Sequence, residues 1–230
     1  MSNRTFRLNK VYNYIFGEKF YKKINYKFDD NLTRGFIIQS IIDRKKYKTY
    51  LEIGCDQNIL FNSIKIKKKI GVDPVSGGNV KTTSDNFFKN NKDTFDIIFI
   101  DGLHQYDQVK KDINNSLKVL NKNGVILLHD CMPSSFMRQA PKRSSNIWNG
   151  DVWKNIVECR SLNEIDTYTI YADHGIGLIL KRKNRNKLES LKIGRLGKPE
   201  NFKKLKFKDY YKNYNYYLNI IYYEDLNKLF

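Results

Sequence analysis

Phe95-Asp-Ile-Ile-Phe-Ile-Asp-Gly-Leu-His-Gln-Tyr106 decides the architecture of this chain. Its first six residues are almost continuously apolar and β-prone, and Asp101-Gly102 ends them. A strand that is apolar on both faces belongs in a sheet covered on both sides, the habit of parallel sheets. Over 106–120, Val109, Ile113, Leu117 and Leu120 recur at helical spacing. Asn123-Gly124 supplies a turn, and Gly124-Val-Ile-Leu-Leu-His129 is the next strand, ending at Asp130. Working upstream, Lys69-Ile-Gly-Val-Asp73 and Thr49-Tyr-Leu-Glu-Ile53 are two more strands, the latter ending at Gly54. Downstream, 167–172 and 176–181 read as strands around Asp173-His174-Gly175, an antiparallel hairpin at the sheet edge. Alternating strands and helices predict an α/β protein with a doubly wound, mostly parallel sheet and a C-terminal antiparallel hairpin.

Three regions follow. Residues 1–45 form an N-terminal helical segment, with Phe36, Ile37, Ile38, Ile41 and Ile42 as its buried face. Residues 46–183 hold the sheet, and 184–230 are a basic, Tyr-rich C-terminal extension. Between Asp130 and Gly150 runs a long loop, expected as a lid or binding loop. In it, Trp148 is placed to stack on a sugar or other ring, and Arg138 and Arg143 to meet an anion. A helix is expected to begin near Asp151, a good cap residue. The tail from Lys203 interleaves lysines with tyrosines, expected to dock on the domain or to form a homodimer contact.

No apolar run approaches the ~20 residues needed to span a bilayer. The opening Met1-Ser-Asn-Arg-Thr-Phe-Arg lacks the apolar core of a secretory signal, so a cytoplasmic protein is expected. Cys55, Cys131 and Cys159 stand far apart without a CxxC pair, as reduced thiols. The net charge is +18, yet Lys, Asn, Ile, Tyr and Phe share A/T-rich codons, so base composition accounts for much of it. A nucleic-acid partner is therefore weighed and not favoured.

Acids stand at four strand ends: Glu52, Asp73, Asp101 and Asp130. Ligands bind at the carboxyl ends of strands in such sheets. Asp73 follows the glycine turn by about the ~20 residues that set a carboxylate against ribose hydroxyls in nucleotide-binding sheets.

In order and spacing, Leu51-Glu-Ile-Gly-Cys-Asp56, Gly71-Val-Asp73, the 95–106 segment and Gly124-Val-Ile-Leu-Leu-His-Asp130 resemble class I S-adenosylmethionine (SAM)-dependent methyltransferases, a Rossmann-like fold. Asp101-Gly-Leu-His104 with Tyr106 is similar to the branch with an Asp-Gly-x-His-x-Tyr segment, related to sugar and antibiotic O-methyltransferases. The resemblance covers about 47–183. It implies that Glu52 and Gly54, with Asp56 beside them, line the methionine end of SAM. Asp73 would hold the ribose, Ser84 and Asp85 would lie near the adenine, and Asp101 would face the methionine amino group or the transfer site. Gly54-Cys55-Asp56-Gln57-Asn58 departs from the usual G-x-G-x-G, keeping only its first glycine. NAD binding, where those glycines admit the pyrophosphate, is disfavoured.

SAM carries its own electrophilic methyl, so the protein must align an acceptor and, for a hydroxyl, take its proton. His104 is the expected base, with Asp101 and Asp130 beside it. His129 is weighed as a second, weaker base, with a core role among the helices that cover the sheet expected about equally, and His174 is read as a turn residue. Asp101 and Asp130 could share a divalent cation such as Mg²⁺, which is not favoured because Cys131 follows where a hard oxygen ligand would serve. The expected function is O-methylation of a small molecule or saccharide. The alternatives are an RNA or other nucleic-acid methyltransferase, or a degenerate, non-catalytic SAM-fold module.

Overall fold

A computed structural model describes residues 2–188 and 199–230. Residues 189–198 of the C-terminal extension lie outside the described residues. The strands are β1 (Thr49–Ile53), β2 (Lys68–Val72), β3 (Phe95–Ile100), β4 (Leu120–Leu128), β5 (Asp166–Ile170), β6 (Ile176–Leu180) and β7 (Ile220–Ile221). Among the described residues these form one sheet in the order β2-β1-β3-β4-β6-β5-β7. The first four are parallel, and β6 is antiparallel to both β4 and β5. The expected α/β architecture is present, and β1 and β3 lie side by side within its parallel half.

Alternation along the strands explains the continuous apolar runs. Leu51, Ile53, Ile98, Ile100, Ile126 and Leu128 turn to one face. There they meet α4 (Ser84–Asn90), α5 (Tyr106–Val119), α7 (Trp153–Cys159) and α8 (Phe207–Leu218). Tyr50, Ile97, Phe99, Val125 and Leu127 turn to the other, beneath α2 (Arg34–Lys45) and α3 (Ile59–Ser63). Each central strand is thus dry on both sides, the arrangement that parallel pairing requires.

Four local expectations are corrected. The hairpin is not the sheet edge: β6 is inserted between β4 and β5, and β7 from the C-terminal region pairs parallel with β5. Asn123-Gly124 is not a turn before a strand. The strand already begins at Leu120, and Asn123, at φ 66°, sits where the β3–β4 register shifts. Phe36 is not part of the buried face of α2, being 46% exposed, whereas Ile37, Ile38, Ile41 and Ile42 are buried. The loop after Asp130 is folded onto the core: Cys131, Met132 and Phe136 are buried, and a short α6 (Phe136–Gln139) forms within it.

Asp151 does not cap the helix that follows it, which begins at Trp153. Its carboxylate instead accepts from the backbone N–H of Tyr106, 2.7 Å away, the first residue of α5, and lies 3.3 Å from the buried Lys154 ammonium. Tyr106 in turn donates its hydroxyl to Glu158 of α7 at 2.6 Å. The Asp-Gly-x-His-x-Tyr segment is thereby pinned at its end by α7. The C-terminal region docks: Phe207, Tyr210, Tyr217, Leu218 and Leu226 are buried against the domain. The three cysteines are free and buried. No described helix is long and apolar enough to cross a membrane.

Candidate active site

The site lies over the C-terminal ends of β1–β4. A cleft of about 620 Å³ is bounded by Gly54, Asp56, Asp73, Ser84, Asp85, Asp101, Gly102 and Leu103, with Gln108 and Asp112 of α5 on one wall. Beside it is a smaller recess of about 320 Å³ lined by Arg34, Glu52, His104, His129 and Asp130. Gly54, Asp56 and Asp101 border both.

The loop after β1 carries the missing-glycine question. Gly54, Asp56 and Asn58 all have positive φ: 87°, 44° and 65°. These are the three glycine positions of G-x-G-x-G. Asp and Asn tolerate the left-handed region better than other side-chain-bearing residues, so the loop keeps a glycine-like path with one glycine. That one is obligatory, because a Cβ on Gly54 would collide with the backbone of Asp101. The Asn58 amide oxygen accepts from the Gly78 N–H at 2.6 Å, joining this loop to the one after β2.

Asp73 stands at the cleft, with its carboxylate already engaged. One oxygen accepts from the N–H of Cys55 and of Asp56, both at 3.1 Å; the other accepts from Val75 at 2.8 Å and Ser76 at 3.0 Å. Burial opposes its ionisation, but these four donors outweigh it and hold its pKa below the usual carboxylate value. Ser84 and Asp85 are drawn together by Gln108, whose amide reaches Ser84 Oγ at 3.2 Å, Asp85 at 3.0 Å and Asp112 at 3.2 Å. Burial pushes the Asp112 carboxyl up to about 6. Glu52 faces the recess, on the opposite side of the sheet from the cleft's α4–α5 wall. It accepts from Tyr50 Oη at 2.5 Å, and burial raises its pKa to about 7.

The recess holds an interleaved set of acids and imidazoles. His104 Nε2 lies 3.3 Å from Asp101, and its Nδ1 lies 3.2 Å from Asp130 and 3.0 Å from the carbonyl of Trp148. His129 Nδ1 lies 3.3 Å from the same Asp101 oxygen, and its Nε2 lies 3.2 Å from Asp173. Burial disfavours charge on His104, but the hydrogen bond to Asp101 and the charge of Asp130 raise its pKa above the ordinary imidazole value. His129 is raised well above it by Asp101 and Asp130, again against burial. Asp101, despite burial, is held far below the carboxylate range by the two imidazoles, chiefly His129. Asp173 is lowered to about 2, its hydrogen bond to His129 outweighing burial.

His129 is therefore in the cluster rather than packed under the covering helices, because β4 ends at Leu128 and the next side chain clears the rim of the sheet. Trp148 is not free to receive a sugar. Its indole stacks on His104 with centroids 5.2 Å apart and donates to the Ala140 carbonyl at 2.6 Å. Asn149 donates to Asp130 at 2.6 Å, fixing a residue that itself has φ 61°. Arg34, Gln108, Asp112, Asn149 and Asp173 were not singled out from sequence. Asp112 left a trace, as an acid on the inward stripe that also carries Val109, Ile113 and Ser116.

Asp101, His104 and Asp130 each present one donor atom, all within 4.8 Å of one another. The set suits a divalent ion, and its imidazole leans toward a transition metal rather than Mg²⁺. Cys131 takes no part, since its Sγ faces the carbonyls of Leu128 and His129.

The parallel sheet, the ligand cleft at its carboxyl ends and the antiparallel β6 define a class I methyltransferase fold. Residues 51–131 match a family model described as a methyltransferase domain. No curated protein sequence matches the chain. Among solved structures, the chain is similar to the SAH-bound Podospora anserina methyltransferase PaMTH1, at 16% identity and TM-score 0.51, covering 80% of this chain and 89% of that one. It is similar also to cofactor-bound Rv0187 from MTB, at 11% identity and TM-score 0.51, covering 80% and 92%. At these identities the likeness concerns the fold.

Proposed function

We propose that the chain is a SAM-dependent methyltransferase that acts on a hydroxyl of a small molecule or saccharide. The observation that carries this reading is the pair of adjoining cavities with Asp101 on their common border. The cleft accommodates a nucleoside with an amino-acid arm: Asp73 and the Gly54–Asp56 backbone on its ribose side, Ser84 and Asp85 toward the base, Asp101 toward the arm. The structure's four N–H contacts to Asp73 assign it a loop-shaping role in addition to any ribose contact. SAM supplies the methyl electrophile.

The acceptor hydroxyl enters the recess, and His104 in its neutral form takes the proton. Asp101 and Asp130 orient the ring and stabilise the resulting imidazolium, as carboxylates do for a catalytic histidine. The proximity of the Asp101, His104 and Asp130 donors favours a second arrangement, in which these three residues would hold a divalent ion, whose charge would favour loss of the acceptor hydroxyl's proton. Calorimetry with SAM tests the cofactor half of the reading, and absence of binding overturns it. His104→Ala is expected to lower kcat at least ~100-fold with SAM affinity nearly unchanged. Loss of turnover on chelation, restored by added metal, selects the second arrangement. The raised His104 pKa places the acid limb of the rate profile above the ordinary imidazole value, since the rate grows only as the ring loses its proton.

A further inference from the structure

We infer that helix α1 (Asn3–Phe16) is a peripheral docking element for an anionic lipid surface. The inference is independent of the reaction catalysed.

Surface helices normally turn their apolar stripe inward. In α1 the aliphatic residues do the opposite. Toward the body it presents asparagines and aromatic rings: Asn13 Nδ2 donates to the Lys142 carbonyl and to Ser144 Oγ, both at 2.7 Å, Asn9 donates to the Arg143 carbonyl at 3.0 Å, Phe6 is half-buried, and the Lys142 ammonium lies over the Tyr12 ring. At ~100° per residue, the side opposite these asparagines carries Val11, Ile15 and Leu8. They are 56%, 54% and 61% exposed. The spacing 8, 11, 15 makes one continuous aliphatic stripe.

The charge around that stripe is of one sign. Arg4 and Arg7 lie within or beside it, Lys10 lies further round the helix, and Lys19, Lys22 and Lys23 follow, all exposed. The one acid before Asp29 is Glu18, and its carboxylate is turned away, accepting from the N–H groups of Phe207 and Lys208 at 2.6 Å. An aliphatic face flanked by arginine and lysine is the composition of helices that lie in a membrane interface, burying aliphatic side chains among acyl chains while cations meet lipid phosphates. Nucleic acid would satisfy the cations but offers no place for Leu8, Val11 and Ile15. A second copy would cover the aliphatics, but a symmetric contact would set Arg4, Arg7 and Lys10 against their own counterparts.

Vesicle flotation with the full chain tests this. Vesicles of phosphatidylcholine with phosphatidylglycerol are expected to carry the protein up the gradient, and pure phosphatidylcholine vesicles at least ~10-fold less. Leu8→Ser/Val11→Ser/Ile15→Ser leaves the charge untouched and is expected to weaken flotation at least ~10-fold. Arg4→Gln/Arg7→Gln/Lys10→Gln leaves the stripe untouched and is expected to do the same, as is raising salt from about 0.05 to about 0.5 M. All six positions are exposed, so both variants should melt with the parent chain by circular dichroism. Leu162→Ser, an exposed aliphatic elsewhere, should float normally. No flotation with anionic vesicles overturns the inference, as does undiminished flotation of the serine variant. A dimer that the serine variant abolishes, or RNA binding that it leaves intact, in either case without flotation, also overturns it.

Discussion

Asp73 accepts four backbone N–H groups with two oxygens, so it shapes the floor of the cleft before any ligand arrives. Asp73→Asn keeps the size but leaves one carbonyl oxygen and turns an NH₂ toward donors. We expect SAM affinity to fall about tenfold, near 1.4 kcal/mol, by calorimetry. Asp56 offers a complementary test. Its φ of 44° suits glycine, so Asp56→Gly should leave the melting temperature nearly unchanged, whereas Asp56→Val should cost about 1–3 kcal/mol in denaturant unfolding. Here the sequence was legible in part. Strand-end acids pointed to Asp73 and Asp101, and Gly54 marked the turn. The replacement of two glycines by Asp56 and Asn58 looked like a departure because residue identity alone does not report backbone sign.

At the scale of elements, α5 depends on a cap supplied from a distant segment. Asp151 serves the first N–H of that helix and the buried Lys154 together. Asp151→Ala removes the cap and strands a buried ammonium, so we expect about 3 kcal/mol of lost stability in urea unfolding, with Asp151→Asn retaining part of the cap. Sequence placed Asp151 near a helix start, which is true of α7, but local pattern carries no information on which helix a side chain will serve. The same limit applies to the imidazoles. His104 was identified from its strand-end position, while His129 acquires its role from Asp173 across the hairpin loop, a contact made by folding. Strands β1 to β4 were legible because continuous apolar runs follow directly from being covered on both faces. Strand β7 was not, since two residues in a Tyr-rich tail leave no periodic signal.

Across the whole molecule, the groups that shift within the neutral range include four at the site that hold their protons more tightly than usual. Burial raises Glu52 from 4.5 to about 7 and Asp112 from 3.8 to about 6, while His104 and His129 are raised by their acid partners. Between the unfolded and folded values the native state binds more protons than the unfolded chain, so stability falls as pH rises through that window. The carboxylates lowered by folding, Asp101 and Asp173 among them, act oppositely, but only as pH falls below their unfolded value near 4. We therefore expect the melting temperature to decline from about pH 5 to about pH 8, measured by calorimetry at fixed salt. Glu52→Gln should flatten the lower part of that decline.

The pairing of β7 with β5 sets an order of events during synthesis. Thr169 and Ile170 find their parallel partners only after residues 220 and 221 have left the ribosome, so every shorter nascent chain presents an open β5 margin. Exposed margins of this kind recruit other strands. Premature termination before Ile220 should thus yield insoluble protein even though the stretch that matches the methyltransferase family model, 51–131, has been fully translated.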